Sequence, residues 1–243
     1  MGLDRFFGAS RGSAILADIP RRLVLASRHP YTNPAAPGSV LKPLVLSALL
    51  RSGKLTAEDS FLCPGKLTIG GRNFTCSHPP LAAPAGIQTA LAYSCNCWMA
   101  HFASRFAPGE LVSSLGFLSR VRPATEPDAV RMQALGAWGV LATVSELAEG
   151  YRSLALACRS PEMQPILEGL EGAVEFGTAQ LARVPGLRVA GKTGTAEGIA
   201  WFAGFAPSRA PAVVVSVMVQ GRSGGADAAP IAAKILEAWW SRR

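Results

Sequence analysis

Apolar residues follow two different patterns along the chain. Near the start, and again in the last quarter, they form short runs that end at glycine, proline or charged residues. Runs of this length with such boundaries predict strands joined by turns. The predicted strands cover residues 12–19, 23–27, 187–195, 200–206 and 212–220.

The middle of the chain and its end place apolar residues three and four positions apart, which predicts amphipathic helices. The predicted helices cover residues 39–52, 111–116, 143–156, 160–177 and 226–241, with a further stretch at 86–103 interrupted around 93–96. Two proline- and glycine-rich segments predict loops, 29–37 and 57–84, the second with short strands at most. We expect Trp239 and Trp240 in the last helix to pack on the sheet.

Strands at both ends of the chain enclose a mainly helical middle. The simplest architecture is an α+β fold, in which both ends build one antiparallel sheet flanked by helices, with an all-helical subdomain inserted. We therefore expect a single domain over residues 1–243. Its sheet subdomain would cover about 10–53 and 178–243, and its helical subdomain about 54–177.

Composition supports a folded domain and gives no sign of nucleic-acid binding. Apolar residues make up 49% of the 243 residues and charged residues 16%, which is typical of a globular protein. The net charge is +8, but the arginines are dispersed and no basic stripe alternates with aromatic residues. No apolar run approaches the roughly 18 residues of a membrane span, and the first residues lack the apolar stretch of a signal peptide.

The five cysteines and three histidines do not form a recognisable motif. An odd number of cysteines argues against a disulfide framework, and neither Cys63…Cys76 nor Cys95-Asn96-Cys97 has the paired C-x-x-C spacing of a structural zinc site. We expect free buried thiols and no metal, with a Cys63–Cys76 bridge as an alternative. None of the three histidines lies in a recognisable nucleophile-elbow context. His29, His78 and His101 are therefore assigned to the surface or to loops, His78 near a cleft.

Candidate chemistry begins at Ser39 and Lys42. Apolar spacing places a helix start near Ser39, and Pro43 is tolerated only in the first turn of a helix, which supports the same start. The spacing i, i+3 then puts hydroxyl and amine on one face, so the lysine is placed to take the serine proton. Taken alone, Ser39 is equally explained as a helix N-cap.

Three short motifs occur in order: Ser39-x-x-Lys42, Ser94-x-Asn96 and Lys192-Thr193-Gly194. This order resembles the penicillin-binding transpeptidase superfamily, which includes the serine β-lactamases. Flanking blocks resemble the same family, over residues 37–43, 63–76, 133–136, 141–143, 189–197 and 200–207. The resemblance covers roughly Gly12 to the C-terminus.

Acyl transfer requires a nucleophile and a base, and the first two motifs supply both residue types. Ser39 would be the nucleophile, and Lys42 a base if burial and the nearby second lysine lower its pKa. Ser94 would relay a proton between Lys42 and the leaving or entering amine. The Asn96 amide suits Lys42 on one side and a peptide carbonyl on the other.

The third motif would hold the substrate. Lys192 with the hydroxyls of Thr193 and Thr195 would form a positive edge for a terminal carboxylate. Gly194 would leave room for the substrate to lie along the strand as an added strand. The resemblance further implies an oxyanion hole made by the backbone N–H groups of Ser39 and Thr195.

The resemblance implies a serine D,D-transpeptidase or carboxypeptidase that acts on D-Ala-D-Ala peptidoglycan stem peptides, binds β-lactams and needs no cofactor. The expected location is the periplasm or outer face of a bacterial membrane, with any export signal or anchor, and any cell-wall synthesis partners, outside this chain. The chain would then be an excised catalytic domain or a naturally minimal enzyme. One alternative is a β-lactamase, although no E-x-x-L-N loop is present. Another is a β-lactam sensor or non-catalytic wall-binding domain.

Overall fold

Residues 2–28 and 34–243 are described by a computed structural model of the protein. His29 and the part of the predicted 29–37 loop that spans 29–33 lie outside the described residues. The strands are β1 Gly12–Asp18, β2 Val24–Arg28, β3 Lys66–Ile69, β4 Arg72–Thr75, β5 Arg120–Val121, β6 Val140–Leu141, β7 Ala190–Ala196, β8 Ile199–Ala206 and β9 Val213–Gln220. The helices are α1 Lys42–Arg51, α2 Ile87–Ala92, α3 Asn96–Ala103, α4 Glu110–Ser114, α5 Pro127–Ala134, α6 Val144–Ala157, α7 Gln164–Glu175 and α8 Ala229–Trp240.

The five predicted strands form one antiparallel sheet in the order β2-β1-β9-β8-β7. The first and last quarters of the chain therefore meet where β1 pairs with β9, with Ile15 opposite Ser216. The α+β class with a sheet built from both chain ends is confirmed. Strand β7 lies at the edge of this sheet, so one of its sides is free of a neighbouring strand.

Both faces of the central strands β8 and β9 are covered, which explains why these strands are apolar at nearly every position. Side chains alternate between the two faces, as the pleat of a strand requires. Those on the α8 side include Leu16, Phe202, Val215 and Val217, and those on the opposite side include Ile15, Trp201, Phe205 and Val214. Trp239 and Trp240 pack, half-buried, against the cluster on the α8 side, as predicted.

The middle of the chain is mainly helical, as predicted, but two of its features were not predicted. Helix α5 and the two-stranded β5–β6 ladder lie in a stretch for which no regular structure was predicted. Strands β3 and β4 form a regular hairpin in the segment predicted as loop with short strands at most. None of the helices in the described part of the chain is long and apolar enough to cross a membrane.

Two buried side chains tie the segment before α1 to the rest of the fold. The Tyr151 hydroxyl of α6 donates to the Val40 carbonyl at 2.7 Å, and the Trp201 indole of β8 donates to the Ala36 carbonyl at 3.0 Å. Burial raises the pKa of Tyr151 well above its usual value, so the phenol keeps its proton for this bond. The segment that carries Ser39 is thus held from both the helical part and the sheet.

Replacement of Tyr151 by phenylalanine should lower the free energy of unfolding by about 1–3 kcal/mol, since it leaves the Val40 carbonyl without its buried donor. Chemical denaturation of the two proteins measures this difference. Tyr93→Phe is the matched control. The half-buried side chain of Tyr93 makes aromatic contacts with His78 and Phe176, and its hydroxyl has no hydrogen-bond partner among the described residues. Equal effects of the two substitutions would contradict the role assigned to the Tyr151 bond.

Candidate active site

Ser39 lies in a tight turn that leads into α1. Residues Gly38–Leu41 form a 3-10 turn, and the α-helix proper begins at Lys42, so the predicted helix start near Ser39 is correct but its first turn is tighter than an α-turn. In a 3-10 turn side chains three residues apart lie one above the other. This geometry places the Ser39 and Lys42 side chains on the same side of the turn.

Gly38 fixes the position of this turn against β7. Its φ of +55° is a left-handed conformation that favours glycine, and its N–H donates to the Gly136 carbonyl at 3.1 Å. A Cβ at Gly38 would overlap the carbonyl oxygen of Thr195. The turn therefore approaches β7 more closely than any other residue at this position would permit.

Lys42 is almost fully buried, with 1% of its surface exposed. Its Nζ donates to the Asn96 Oδ1 at 2.7 Å, to the Ser94 carbonyl at 2.7 Å and to the Ser94 Oγ at 3.4 Å. Burial lowers the Lys42 pKa from 10.5 to about 8, although nearby thiols act in the opposite direction. A lysine with this pKa is partly neutral near physiological pH, which is what a general base requires.

Ser94 occupies the interruption between α2 and α3. Its φ of +58° is unusual for a residue with a side chain, and the backbone N–H of Ser94 donates to the Leu91 carbonyl at 3.1 Å. Left-handed backbone at a non-glycine residue is strained, and such residues are concentrated at functional sites. The conformation lets both the carbonyl and the hydroxyl of Ser94 contact Lys42.

Asn96 connects Lys42 to the β3–β4 hairpin. Its Oδ1 accepts from Lys42, and its Nδ2 donates to the Thr75 carbonyl at 2.8 Å. The sequence predicted a peptide carbonyl as the second partner of Asn96. In the structure this carbonyl belongs to Thr75 of the same chain, because the end of β4 lies against the start of α3.

The third motif lies on β7, but two of its residues differ from expectation. Lys192 is fully buried, with its Nζ donating to the Thr193 carbonyl at 3.1 Å, rather than on an exposed edge. Its pKa lies well below the usual value, because of burial and then the charge of Lys42. At Gly194 the space of the absent side chain is taken by Pro37 and Val40, so this glycine accommodates the Ser39 turn rather than a substrate.

The three motifs converge on one small cleft at the free edge of β7. Its volume is about 210 Å³. Its lining includes the predicted residues Ser39, Ser94, Asn96, Thr193 and Thr195, together with Ser77, Thr178, Ser223 and Gly225, which were not predicted. Larger depressions of about 520 and 640 Å³ lie beside α1 and α6 and beside the β5–β6 ladder, but neither contains a buried ionisable group.

The two threonine hydroxyls of the third motif are positioned by the unpredicted residues. Thr193 Oγ1 donates to Thr178 Oγ1 at 2.9 Å, and Thr195 Oγ1 accepts from the Gly224 N–H at 3.1 Å. Thr178 follows α7 and Gly224 precedes α8, so no local motif marks them. The only signal in the sequence was the Ser-Gly-Gly turn at 223–225 between a strand and a helix.

The two described histidines take no part in the Lys42 network. His101 is exposed on α3 and stacks on Phe61 with ring centroids 4.2 Å apart, which agrees with a surface assignment. His78 is half-buried in the loop after β4, where its Nδ1 lies 2.7 Å from the Pro79 carbonyl.

The sequence pattern that defines the penicillin-binding protein transpeptidase domain matches residues 17–118 and 156–237. The chain belongs to this family. The matched residues include all three motifs of the cleft. The resemblance inferred from the motifs is therefore confirmed over these two segments.

Curated relatives of this transpeptidase domain carry related names. A probable peptidoglycan D,D-transpeptidase of Pseudomonas aeruginosa, PbpC, is 26% identical over 313 residues, covering 95% of this chain and 54% of that protein. A Mycobacterium tuberculosis peptidoglycan D,D-transpeptidase, PbpA, is 37% identical over 94 residues, or 32% of this chain and 19% of that protein. The chain thus spans about half the length of the first relative.

Solved structures share the fold of this transpeptidase domain. The D,D-transpeptidase domain of a peptidoglycan glycosyltransferase from Eggerthella lenta superposes with a TM-score of 0.82 at 20% identity, covering 99% of this chain and 80% of that one. Pseudomonas aeruginosa PBP2 in complex with WCK 5153 gives 0.84 at 17% identity, with 98% and 75% covered. At these identities the likeness concerns the fold.

We expect Gly38→Ala to destabilise the domain more than Gly53→Ala. Gly53 also has a positive φ, of +68°, but open space around it, so its substitution costs only the backbone strain of about 1–2 kcal/mol. Gly38→Ala adds the overlap with Thr195, worth about 1–3 kcal/mol more. Denaturant unfolding of both variants tests this, and equal destabilisation would show that the turn does not press on β7.

Proposed function

We propose that this chain is a serine D,D-transpeptidase or carboxypeptidase domain that acts on the D-Ala-D-Ala ends of peptidoglycan stem peptides. The single observation that carries the proposal is the buried Lys42, one turn from Ser39, whose Nζ is bonded to both Ser94 and Asn96. The names of the curated relatives support it.

In the proposed reaction, Ser39 Oγ attacks the carbonyl carbon of the penultimate D-alanine while neutral Lys42 accepts the hydroxyl proton. Ser94 relays a proton to the departing amine, the peptide bond breaks and D-alanine leaves. Ser39 then carries the stem peptide as an ester. An amine or a water molecule attacks this ester, which restores the Ser39 hydroxyl.

Charge that develops on the carbonyl oxygen needs donors held in place before the reaction. We assign this role to the backbone N–H groups of Ser39 and Thr195, since the close approach of Gly38 to Thr195 brings the turn and β7 together. The hydroxyls of Thr193 and Thr195 line the cleft and would receive the terminal carboxylate. The substrate would lie along the free edge of β7 as an added strand.

Lys192 would be the neutral partner of the two buried lysines. Burial and then the charge of Lys42 hold the Lys192 pKa well below its usual value, whereas Lys42 owes its lowered pKa to burial rather than to Lys192. In this assignment Lys192 contributes an amine to the interior of the site without a second buried charge. The cleft would lie between the proposed sheet subdomain, about 10–53 and 178–243, and the proposed helical subdomain, about 54–177.

A β-lactamase is the second candidate, because it would share the same acyl-enzyme. Deacylation by water then needs a carboxylate or another base near the ester. No aspartate or glutamate is among the described residues that line the cleft. This observation favours a long-lived β-lactam adduct, which a transpeptidase and a β-lactam sensor would both form.

The proposed substrate sets the location and the partners. Peptidoglycan stems lie outside the cytoplasm, so the domain would work in the periplasm or on the outer face of a bacterial membrane. β-Lactams would bind at Ser39 as substrate analogues. Other proteins of cell-wall synthesis would be partners of a longer protein, and the proposed chemistry uses no cofactor.

Incubation with a labelled penicillin should add one covalent adduct per chain, detected by intact-mass spectrometry. The adduct should be absent in Ser39→Ala, because the attacking hydroxyl is gone, and retained in Ser52→Ala, where an exposed serine at the end of α1 is removed. An adduct that persists in Ser39→Ala would contradict the assignment of the nucleophile.

The same preparation separates the rival activities. A diacetyl tripeptide ending in D-Ala-D-Ala should lose D-alanine, with exchange when a D-amino acid is added. Rapid nitrocefin turnover would instead identify a β-lactamase. A stable adduct without any peptide turnover would identify a sensor or a binding domain.

The rate of acylation should rise with pH through the pKa of Lys42, which burial lowers to about 8. Below this value Lys42 is protonated and cannot accept the Ser39 proton, so we expect a roughly tenfold rise per pH unit up to about pH 8 and a plateau above it. Stopped-flow acylation by an intact penicillin between pH 6 and 9 measures this profile. A rate independent of pH would exclude Lys42 as the base.

A further inference from the structure

Four thiols and one imidazole converge beside the second motif. The ligand atoms of Cys63, Cys76, His78 and Cys95 all lie within 4.8 Å of one another. Cys76 Sγ lies 3.6 Å from Cys63 Sγ, 3.7 Å from Cys95 Sγ and 3.6 Å from Cys97 Sγ. We call Cys63, Cys76, His78 and Cys95 the thiol–imidazole cluster.

The hairpin and the α3 start bring the cluster together. Cys63 precedes β3 and Cys76 follows β4, and the Cys76 N–H donates to the Gly65 carbonyl at 2.8 Å, which closes the open end of the hairpin. Cys95 is the residue that caps α3. The candidate ligands are therefore irregularly spaced along the chain. Because no C-x-x-C pair is present, the sequence led to the prediction that no metal is bound.

The distances between the sulfur atoms match those around a tetrahedral metal ion. Zinc–sulfur bonds of about 2.3 Å in a tetrahedron place neighbouring sulfur atoms about 3.8 Å apart. The observed separations of 3.6 and 3.7 Å are close to this value. A disulfide instead requires about 2.05 Å, and all five cysteines are free thiols.

His78 presents the nitrogen that a metal would need. Its Nδ1 faces the Pro79 carbonyl at 2.7 Å, so the proton belongs on Nδ1 and the lone pair on Nε2. Nε2 is buried and has no hydrogen-bond partner among the described residues. A buried imidazole nitrogen without a partner is costly unless something binds it, and a carbonyl on the other nitrogen is the usual arrangement of a metal-bound histidine.

Backbone donors surround the sulfur atoms as they do around thiolate ligands. The Gly65 N–H donates to Cys63 Sγ at 3.3 Å, and the Trp98 N–H donates to Cys95 Sγ at 3.4 Å. Such donors and a helix N-terminus stabilise negative sulfur.

We propose that Cys63, Cys76, Cys95 and His78 bind one zinc ion as a closed structural site of three thiolates and a neutral imidazole. Four protein ligands leave no open position for a substrate. Binding exchanges the three thiol protons for the metal, so no bond is oxidised or reduced. Cys97 lies next to the site, outside the set of ligands.

The ion would position the second motif, an inference that rests on the proposed function. Cys95 stands between Ser94 and Asn96, the two residues that bind Lys42. Asn96 also donates to the carbonyl of Thr75, the residue before Cys76. A metal bound to both Cys76 and Cys95 would fix the end of β4 against the start of α3, where Asn96 contacts Thr75. It would also stabilise the strained backbone of Ser94.

The test uses the whole chain, purified under reducing conditions and loaded with zinc chloride alone. We expect one zinc per chain by elemental analysis, and cobalt substitution should give the thiolate charge-transfer and ligand-field bands of a tetrahedral site. Cys95→Ser, Cys76→Ser, Cys63→Ser and His78→Ala should each weaken zinc binding by more than the 10–100-fold that loss of an outer-shell partner causes.

Two further cysteines provide matched controls. Cys158→Ser removes a buried thiol at the end of α6, and Cys97→Ser removes the thiol beside the cluster, and both proteins should bind zinc normally. Circular dichroism checks that each variant is folded. Absence of bound zinc in the folded parent chain, or a Cys63–Cys76 disulfide under the same conditions, would overturn the proposal, as would normal binding by folded Cys95→Ser.

The link to the active site has its own readout. Removal of zinc by a chelator should slow penicillin acylation of Ser39 by about tenfold or more, and added zinc should restore the rate. An unchanged rate in metal-free protein would overturn the positioning role while leaving the metal site intact. If the parent chain binds zinc but forms no penicillin adduct at all, the proposed function fails and the metal site stands.

Discussion

The burial of Lys42 is the constraint on which the candidate site depends. Removing an ammonium group from water costs several kcal/mol unless hydrogen-bond acceptors compensate it. The chain supplies Ser94 and Asn96, which lie 52 and 54 residues away in sequence. The acceptors come from the break between two helices, so the helical part and the first turn of α1 must be assembled together before Lys42 is satisfied. The same burial lowers the Lys42 pKa, so the feature that is costly for folding is the one that makes the amine a base.

A second set of contacts, made by backbone rather than by charge, joins this network to the sheet. Gly38 and Gly194 allow the Ser39 turn and β7 to approach until main-chain atoms touch, which no side chain would permit. Tyr151 and Trp201 fasten the same segment from the helical side and from β8. Ser39 therefore stands between two rigid supports. Catalytic groups held in this way lose little freedom when a substrate binds, which is the basis of preorganised catalysis.

Much of the fold follows from local patterns, and the rest depends on contacts that only the folded chain makes. The strands of the sheet were predicted because they are short apolar runs with clear turns, and α1 because Pro43 restricts where it can start. Helix α5 and the β5–β6 ladder were missed because two-residue strands and a weakly apolar helix give little periodic signal. The motif order predicted the cleft residues, whereas Thr178 and Gly224 approach β7 only through tertiary packing.

The thiol–imidazole cluster shows why spacing along the chain is a poor guide to ligands carried by a hairpin. Strands β3 and β4 separate Cys63 from Cys76 by a whole hairpin, yet the pairing of Lys66 with Thr75 returns the two thiols to the same end. The third thiol, that of Cys95, lies in the second motif between Ser94 and Asn96, which both contact Lys42. The strained Ser94 thus directly precedes one cluster residue, Cys95, and the unpartnered nitrogen of His78 belongs to the cluster itself. Strained backbone persists only where its surroundings over-determine it, and a metal bound here would supply that support where the packing of a small, exposed hairpin cannot.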